Sequence, residues 1–209
     1  MRLLLIRHGL SVTNKSRCYT GQRDVALAEK GYKEAECTAR YVLENYRVDA
    51  IYSSDLKRAV HTVKPIADAL QLPIHTTEKL REIDVGLWGG LSFETVKEKY
   101  AESQRLFSEN PDVYPPDGGE TYMQVQARAL EKLTEIAQAH PGQTVVVGTH
   151  GGVLRTFFRA WLNLPDVYAL PLAKNASVPV VDYEEGVFTV VERAIDKHLD
   201  TLTDDSTLV

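Results

Sequence analysis

Leu3-Leu4-Leu5-Ile6-Arg7-His8-Gly9 stands almost at the start of the chain. Its four consecutive apolar residues read as a short strand buried on both faces. An arginine, a histidine and a glycine follow directly. In open α/β sheets, ligands gather outside the carboxyl ends of the strands. The first strand therefore delivers a fixed cation and a titratable nucleophile to the edge where a site is expected. A second delivery comes far downstream. Thr144-Val145-Val146-Val147-Gly148 is another buried run, and it ends in Thr149-His150-Gly151-Gly152. Two strand-end histidines, each followed by glycine, point to a paired-histidine site.

The rest of the chain supplies a frame for these two strands. Strand patterns fall at 3–6, 50–53, 74–77, 145–148, 177–183 and 187–191, and helical patterns at 31–46, 56–70, 93–100, 120–139 and 153–162. This alternation predicts an α/β fold, a mostly parallel central sheet with helices on both faces. Glu184-Glu185-Gly186 between the last two strands predicts an antiparallel hairpin. Residues 1–195 are expected to form a single domain. Within it, 86–118 carries Pro111, Pro115 and Pro116 ahead of Asp117-Gly118-Gly119. That composition predicts a helical insert with a loop, placed to act as a lid. From Asp196 onward the chain is polar and acidic, has little to bury, and is expected to fray.

Composition narrows the function classes. The chain has 209 residues, of which 44% are hydrophobic and 25% charged, enough for one domain with a real core. Its net charge of −5 argues against a non-specific binder of nucleic acid or of anionic membranes. No run is long enough for a membrane span or a secretory signal. Cys18 and Cys37 form neither a C-x-x-C pair nor a disulfide framework, which fits a reducing compartment. A cytoplasmic protein with a small-molecule partner is expected, and a homodimer stays open.

Three further segments carry chemistry that matches the two histidines. Ser53-Ser54-Asp55-Leu56-Lys57-Arg58 follows the second strand. Ser54 or Asp55 is expected to cap a helix whose first turn bears Arg58, an arrangement that favours an anion. Leu80-Arg81-Glu82 follows the third strand and offers a carboxylate. Asn14 lies one loop beyond His8 and offers an amide. Taken singly, each has an ordinary reading. His8 is then a satisfied strand-end histidine, Arg7 and Arg58 are ion-paired arginines, Glu82 partners Arg81 or caps a helix, and Asn14 is a turn residue. His61, His75, His140 and His198 belong to no such segment and are assigned to the surface.

Taken together and in order, the segments resemble the histidine phosphatase superfamily, the group that includes cofactor-dependent phosphoglycerate mutase. The opening motif is matched at Arg7, His8, Gly9 and Asn14; Ser11 keeps a hydroxyl, and Leu10 departs from the usual acid. Thr20, Gly21, Asp24, Leu27 and Gly31 continue at the family's spacing. The stretch from Ser53 through Arg58 to Thr62 resembles the second motif. Leu80, Glu82, Gly86 and Trp88 resemble the third, with Gly89 in place of a common glutamate. Gly118-Gly119-Glu120-Thr121 resembles a Gly-Glu-Ser motif, and the segment from Val147 to Gly151 resembles the second-histidine motif. Asn175-Ala176-Ser177 adds a weaker match.

The resemblance implies a phosphoglycerate mutase-like fold and roles for the matching residues. His8 would attack a phosphoryl group and become phosphohistidine. Arg7, Arg58, Asn14 and His150 would bind the transferring oxygens, with Thr20, Gly21 and Gly151 lining the same pocket. Glu82 would protonate the leaving alcohol and then help activate water. No metal or cofactor is expected, since two guanidinium groups and a second histidine can supply the charge stabilisation that phosphoryl transfer needs. The leading reading is a metal-independent phosphomonoesterase acting on a small phosphorylated metabolite.

Two alternatives share the motifs. A phosphoglycerate mutase would resemble a longer design, with an extra basic segment between Glu82 and Gly118; here that gap is short and its cations are Lys97, Lys99 and Arg105. A non-catalytic phospho-ligand binder would be expected to lack one of the core residues, and none is missing. The loop Arg17-Cys18-Tyr19-Thr20-Gly21 resembles that of small bacterial phosphatases of the family. Specificity is expected to reside in the insert at 86–116.

Overall fold

The computed structural model describes residues 1–200 and 202. In chain order its elements are β1 (Arg2–Arg7), α1 (Val12–Lys15), α2 (Glu29–Asn45), β2 (Ala50–Ser54), α3 (Lys57–Leu70), β3 (Ile74–Thr77), α4 (Phe93–Lys99), α5 (Ala101–Glu109), α6 (Tyr122–Ala139), β4 (Thr144–Thr149), α7 (Gly151–Trp161), β5 (Val178–Glu184) and β6 (Val187–Ile195). The six strands form one sheet in the order β3-β2-β4-β1-β5-β6. Strands β3, β2, β4 and β1 run parallel, while β5 pairs antiparallel with both β1 and β6. The predicted α/β fold, a mostly parallel sheet covered on both faces, is therefore what the chain adopts.

Alternation along the two central strands builds both halves of the core. Leu3, Leu5, Val145 and Val147 pack with Leu133 and Ile136 of α6 and Leu154 and Phe157 of α7. Leu4, Ile6 and Val146 face the other way, onto Ala39 and Val42 of α2 and Val63 and Ile66 of α3. Because β1 and β4 are sandwiched between helices, they read as unbroken apolar runs rather than as alternating ones. A third cluster lies beneath the insert and joins Trp88 and Val96 to Val125, Ala129 and Val153.

Three expectations need amendment. Helix α5 was not anticipated, because the 93–100 pattern ends at Tyr100 and none of α5's residues is buried. Its Phe107 is half-buried against Trp88 and Tyr122, and Arg105 bonded to Glu102 and Glu109 decorates its exposed side. The cap of α3 is neither Ser54 nor Asp55. Asp24, far upstream, accepts from the Lys57 amide at 2.8 Å, while Asp55 is bonded to Arg81.

The tail also differs from expectation, up to Asp200. A 3-10 turn at Lys197–Leu199 places His198 stacked on Tyr41, with ring centroids 5.0 Å apart, and within 3.1 Å of Thr38 Oγ1. His198 is thus half-buried rather than a surface residue, and the aromatic contact supplies the burial that the composition did not suggest. The expected fraying of 201 and 203–209 lies outside the described residues. Among the described residues, no helix is long and apolar enough to cross a membrane.

Leu5 is 1% exposed at the centre of the sheet. Leu5→Ala should therefore cost about 2–5 kcal/mol, read as a lower urea midpoint at unchanged slope. A loss below about 1 kcal/mol would remove β1 from the core.

Candidate active site

Strands β1 and β4 pair in register, Arg7 opposite Thr149. The His8 amide continues the ladder by donating to Thr149 O at 2.9 Å. His8 and His150 therefore leave neighbouring strands at the same level, and their ring centroids lie 5.1 Å apart. On the other side, Asn175 Nδ2 donates to His8 O at 2.8 Å. The His8 ring is fixed as well, because its Nδ1 lies 2.7 Å from Gly9 O. A carbonyl only accepts, so Nδ1 carries the proton and Nε2 keeps its lone pair. Burial depresses the His8 pKa well below the usual value, and the Arg58 and Arg7 guanidinium groups push it the same way. The ring is therefore held neutral, with Nε2 unprotonated.

His150 is fully buried, and its pKa is likewise pushed well down by burial, then by Arg58 and His8. Among the described residues, neither of its ring nitrogens has a hydrogen-bond partner, and the same holds for Arg7 Nε. Buried donors and acceptors left unmatched cost about 1–3 kcal/mol each. An anion that accepts from them offsets that cost.

Two guanidinium groups flank the histidines. Arg7 Nη1 donates to Ala173 O. Arg58 is 1% exposed and donates to Gly21 O at 2.7 Å and to Arg23 O at 2.8 Å. Gly21 reaches this position with a left-handed φ of 52°, and a Cβ there would lie 2.5 Å from Val85 Cγ2. Burial lowers the pKa of both arginines, that of Arg58 to about 10, so both stay charged at neutral pH. Among the described residues, neither is ion-paired, which excludes the ordinary reading of them as salt-bridge arginines.

Glu82 meets the N-terminus of α7. Its Oε1 accepts from Ile83 N and Gly152 N, both at 2.9 Å, while Oε2 has only a longer contact of 3.2 Å with Gly152 N. A Cβ on Gly152 would sit 2.1 Å from Oε1, so only glycine allows this approach. Arg81 bonds Asp55 and Glu78, not Glu82. Behind Glu82, Arg128 donates to the carbonyls of Lys79, Arg81 and Glu82 and pairs with Glu120 at 2.8 Å. Gln22 Nε2 also donates to Glu82 O, at 3.2 Å.

These groups meet in a cavity of about 460 Å³. Of the residues expected from the sequence, Arg7, His8, Asn14, Thr20, Gly21, Arg58, Glu82 and Gly151 line it, and His150 lies buried beside His8. Asn14 turns its carbonyl oxygen to Ser11, accepting from the Ser11 amide and hydroxyl at 3.2 and 2.8 Å. It is therefore a capping residue of α1 whose NH₂ end faces away from that cap. Thr20 Oγ1 bonds Thr13 Oγ1 at 2.7 Å. The sequence reading missed Arg155, Tyr168, Leu172, Phe107 and Ser108 on the cavity wall. Only Arg155 had a signal, since it lies four residues after Gly151 and so shares its helical face.

The sequence model of the histidine phosphatase superfamily (branch 1) matches residues 3–196. The chain belongs to that superfamily. Among its relatives, phosphoserine phosphatase 1 of Hydrogenobacter thermophilus is 35% identical over 201 residues, covering 95% of this chain and 94% of that protein. The 2,3-bisphosphoglycerate-dependent phosphoglycerate mutase of Treponema denticola is 34% identical over 224 residues, covering 92% and 91%. Among solved structures, Bacillus stearothermophilus YhfR is 32% identical with a TM-score of 0.89, covering 95% of this chain and 99% of that one.

In this histidine phosphatase the buried neutral histidines tie stability to pH. An unfolded histidine takes up a proton near pH ~6.5, whereas folded His8 and His150 resist it. Their contribution is thus present above that pH and lost as the pH falls below it. Urea unfolding between about pH 7.5 and about pH 5.5 should show stability falling with acid, and His150→Gln should flatten the fall. An unchanged slope in the variant would mean that His150 titrates normally.

Proposed function

We propose that the protein is a metal-independent phosphomonoesterase that hydrolyses a small phosphorylated metabolite through a phosphohistidine on His8. One observation carries this reading: a neutral His8 with its Nε2 lone pair available, in a cavity walled by two guanidinium groups that have no carboxylate partner. Nε2 attacks phosphorus, and Arg7, Arg58 and His150 bind the non-bridging oxygens as charge moves onto them. The ester P–O bond breaks, and Glu82 gives the leaving oxygen its proton from Oε2, the oxygen its backbone amides hold less closely. The resulting carboxylate then takes a proton from water, which attacks phosphorus. The N–P bond breaks, and His8 and inorganic phosphate are released.

Hydrolysis fits the cavity better than mutase chemistry. A mutase must hold a bisphosphorylated intermediate, with its second phosphate, while the phosphoryl group returns. The insert supplies no cation for that purpose: Lys97 and Lys99 are exposed outside the cavity lining, and Arg105 is bonded to Glu102 and Glu109. The insert instead contributes Phe93, Phe107 and Ser108 to the cavity wall, and acts as a lid over the bound alcohol while the site still admits the attacking water. With Cys18 and Cys37 free and the net charge at −5, the reading is of a cytoplasmic enzyme that needs neither nucleic acid nor membrane.

His8→Ala should abolish turnover, and a denaturing quench of the wild type should show acid-labile phosphate on His8. Activity should survive exhaustive chelation. With 3-phosphoglycerate, phosphate release should outpace transfer to the 2-position. Substantial turnover by the alanine variant sinks the phosphohistidine, and faster transfer than release restores the mutase.

Glu82→Gln should slow phosphorylation by alkyl phosphates about 10²–10⁴-fold. With p-nitrophenyl phosphate the burst should suffer far less, because that leaving group departs without a proton. Equal losses in the two bursts would reassign Glu82 to positioning.

A further inference from the structure

Arg155 is the third guanidinium of the cavity, and nothing in the scheme above uses it. It lies on α7 just over one turn beyond Gly151, about 6 Å further along the axis. Along that helix the order of functions is fixed. His150 stands at its start beside the nucleophile, Gly152 N holds Glu82, and Arg155 comes next. The phosphoryl group belongs at the first position and the ester oxygen at the second. The third position therefore faces the body of the alcohol.

Arg155 is also unsatisfied as a charge. Of its five N–H donors, one is used, Nη1 to Val167 O at 3.0 Å. The group stacks over the Tyr168 ring, with 5.0 Å between the guanidinium carbon and the ring centroid. Among the described residues it makes no ion pair. The nearby acids are occupied: Asp112 is bonded by Arg159, and Asp166 Oδ1 accepts from Tyr168 N at 2.7 Å. A guanidinium held flat by an aromatic ring, with donors left over, matches a carboxylate. A second phosphate would bring nearly twice the charge to a single cation, so a carboxylate suits the site better.

From this we infer that the alcohol half of the substrate carries a carboxylate close to the ester oxygen, and that Arg155 reads it. The inference rests on the phosphomonoesterase reading and adds the substrate class to it.

O-phosphoserine and O-phosphoethanolamine differ only by the carboxylate, and p-nitrophenyl phosphate reports on the phosphatase chemistry separately. Wild-type kcat/KM should favour phosphoserine by about 10–100-fold, the worth of a charged hydrogen bond. In Arg155→Met that ratio should collapse towards one, with the loss carried by KM rather than kcat, and Arg155→Lys should restore part of it. If Arg155→Met fails to fold, the wild type decides with the methyl ester of phosphoserine, which should be as poor a substrate as phosphoethanolamine. Absence of wild-type discrimination, or equal losses on both substrates in Arg155→Met while p-nitrophenyl phosphate is still turned over, overturns the role of Arg155 alone. No wild-type turnover of p-nitrophenyl phosphate overturns the phosphatase reading and this inference with it.

Discussion

Everything at the site depends on the parallel pairing of β1 with β4. The register sets Arg7 opposite Thr149, and one residue further on it sets His8 beside His150. A slip of one residue would turn every side chain of the strand to the opposite face. Leu3 and Leu5 would then exchange places with Leu4 and Ile6, and the two core clusters would no longer fit their helices. The core thus fixes the register, and the register fixes the distance between the histidines.

A second constraint is electrostatic. Two guanidinium groups are held deep in the pocket without an ion-pair partner among the described residues, although Glu82 lines the same cavity. Carbonyl oxygens of Gly21, Arg23 and Ala173 hold them instead. Neutral dipoles keep the arginines in place without cancelling their charge, so the positive potential remains available to an incoming anion. Burial keeps both histidines neutral, and the same potential adds to it. One arrangement therefore serves binding and nucleophilicity together.

Most of this was legible in the sequence, for a physical reason. Buried parallel strands are unbroken apolar runs, and the residues that end them have only one edge to occupy, so His8, Arg58, Glu82 and His150 could be placed before any coordinates. What escaped notice depends on contacts between distant segments. Asp24 caps α3 across a long stretch of chain, and no local capping pattern announces it. Helix α5 is short, has no fully buried residue, and packs through Phe107 onto Trp88 and Tyr122 from other segments. His198 sits in a polar stretch, and its partners Tyr41 and Thr38 belong to a helix formed much earlier in the chain. Tyr168 and Leu172 come from an irregular segment whose path the periodicity of the sequence does not describe.

The long sequence separation between β1 and its pairing partners has a consequence for synthesis. Its hydrogen-bonding neighbours are β4 and β5, encoded at Thr144–Thr149 and Val178–Glu184. The strand that leads into His8 leaves the ribosome long before either neighbour and must wait for both to be made. Pairings so distant in sequence raise the contact order and slow folding. Until then Leu3, Leu4, Leu5 and Ile6 are a naked apolar strand, the kind of segment that associates with other chains or recruits a chaperone. The nascent enzyme thus cannot bring His8 beside His150 until β4 has emerged and paired with β1.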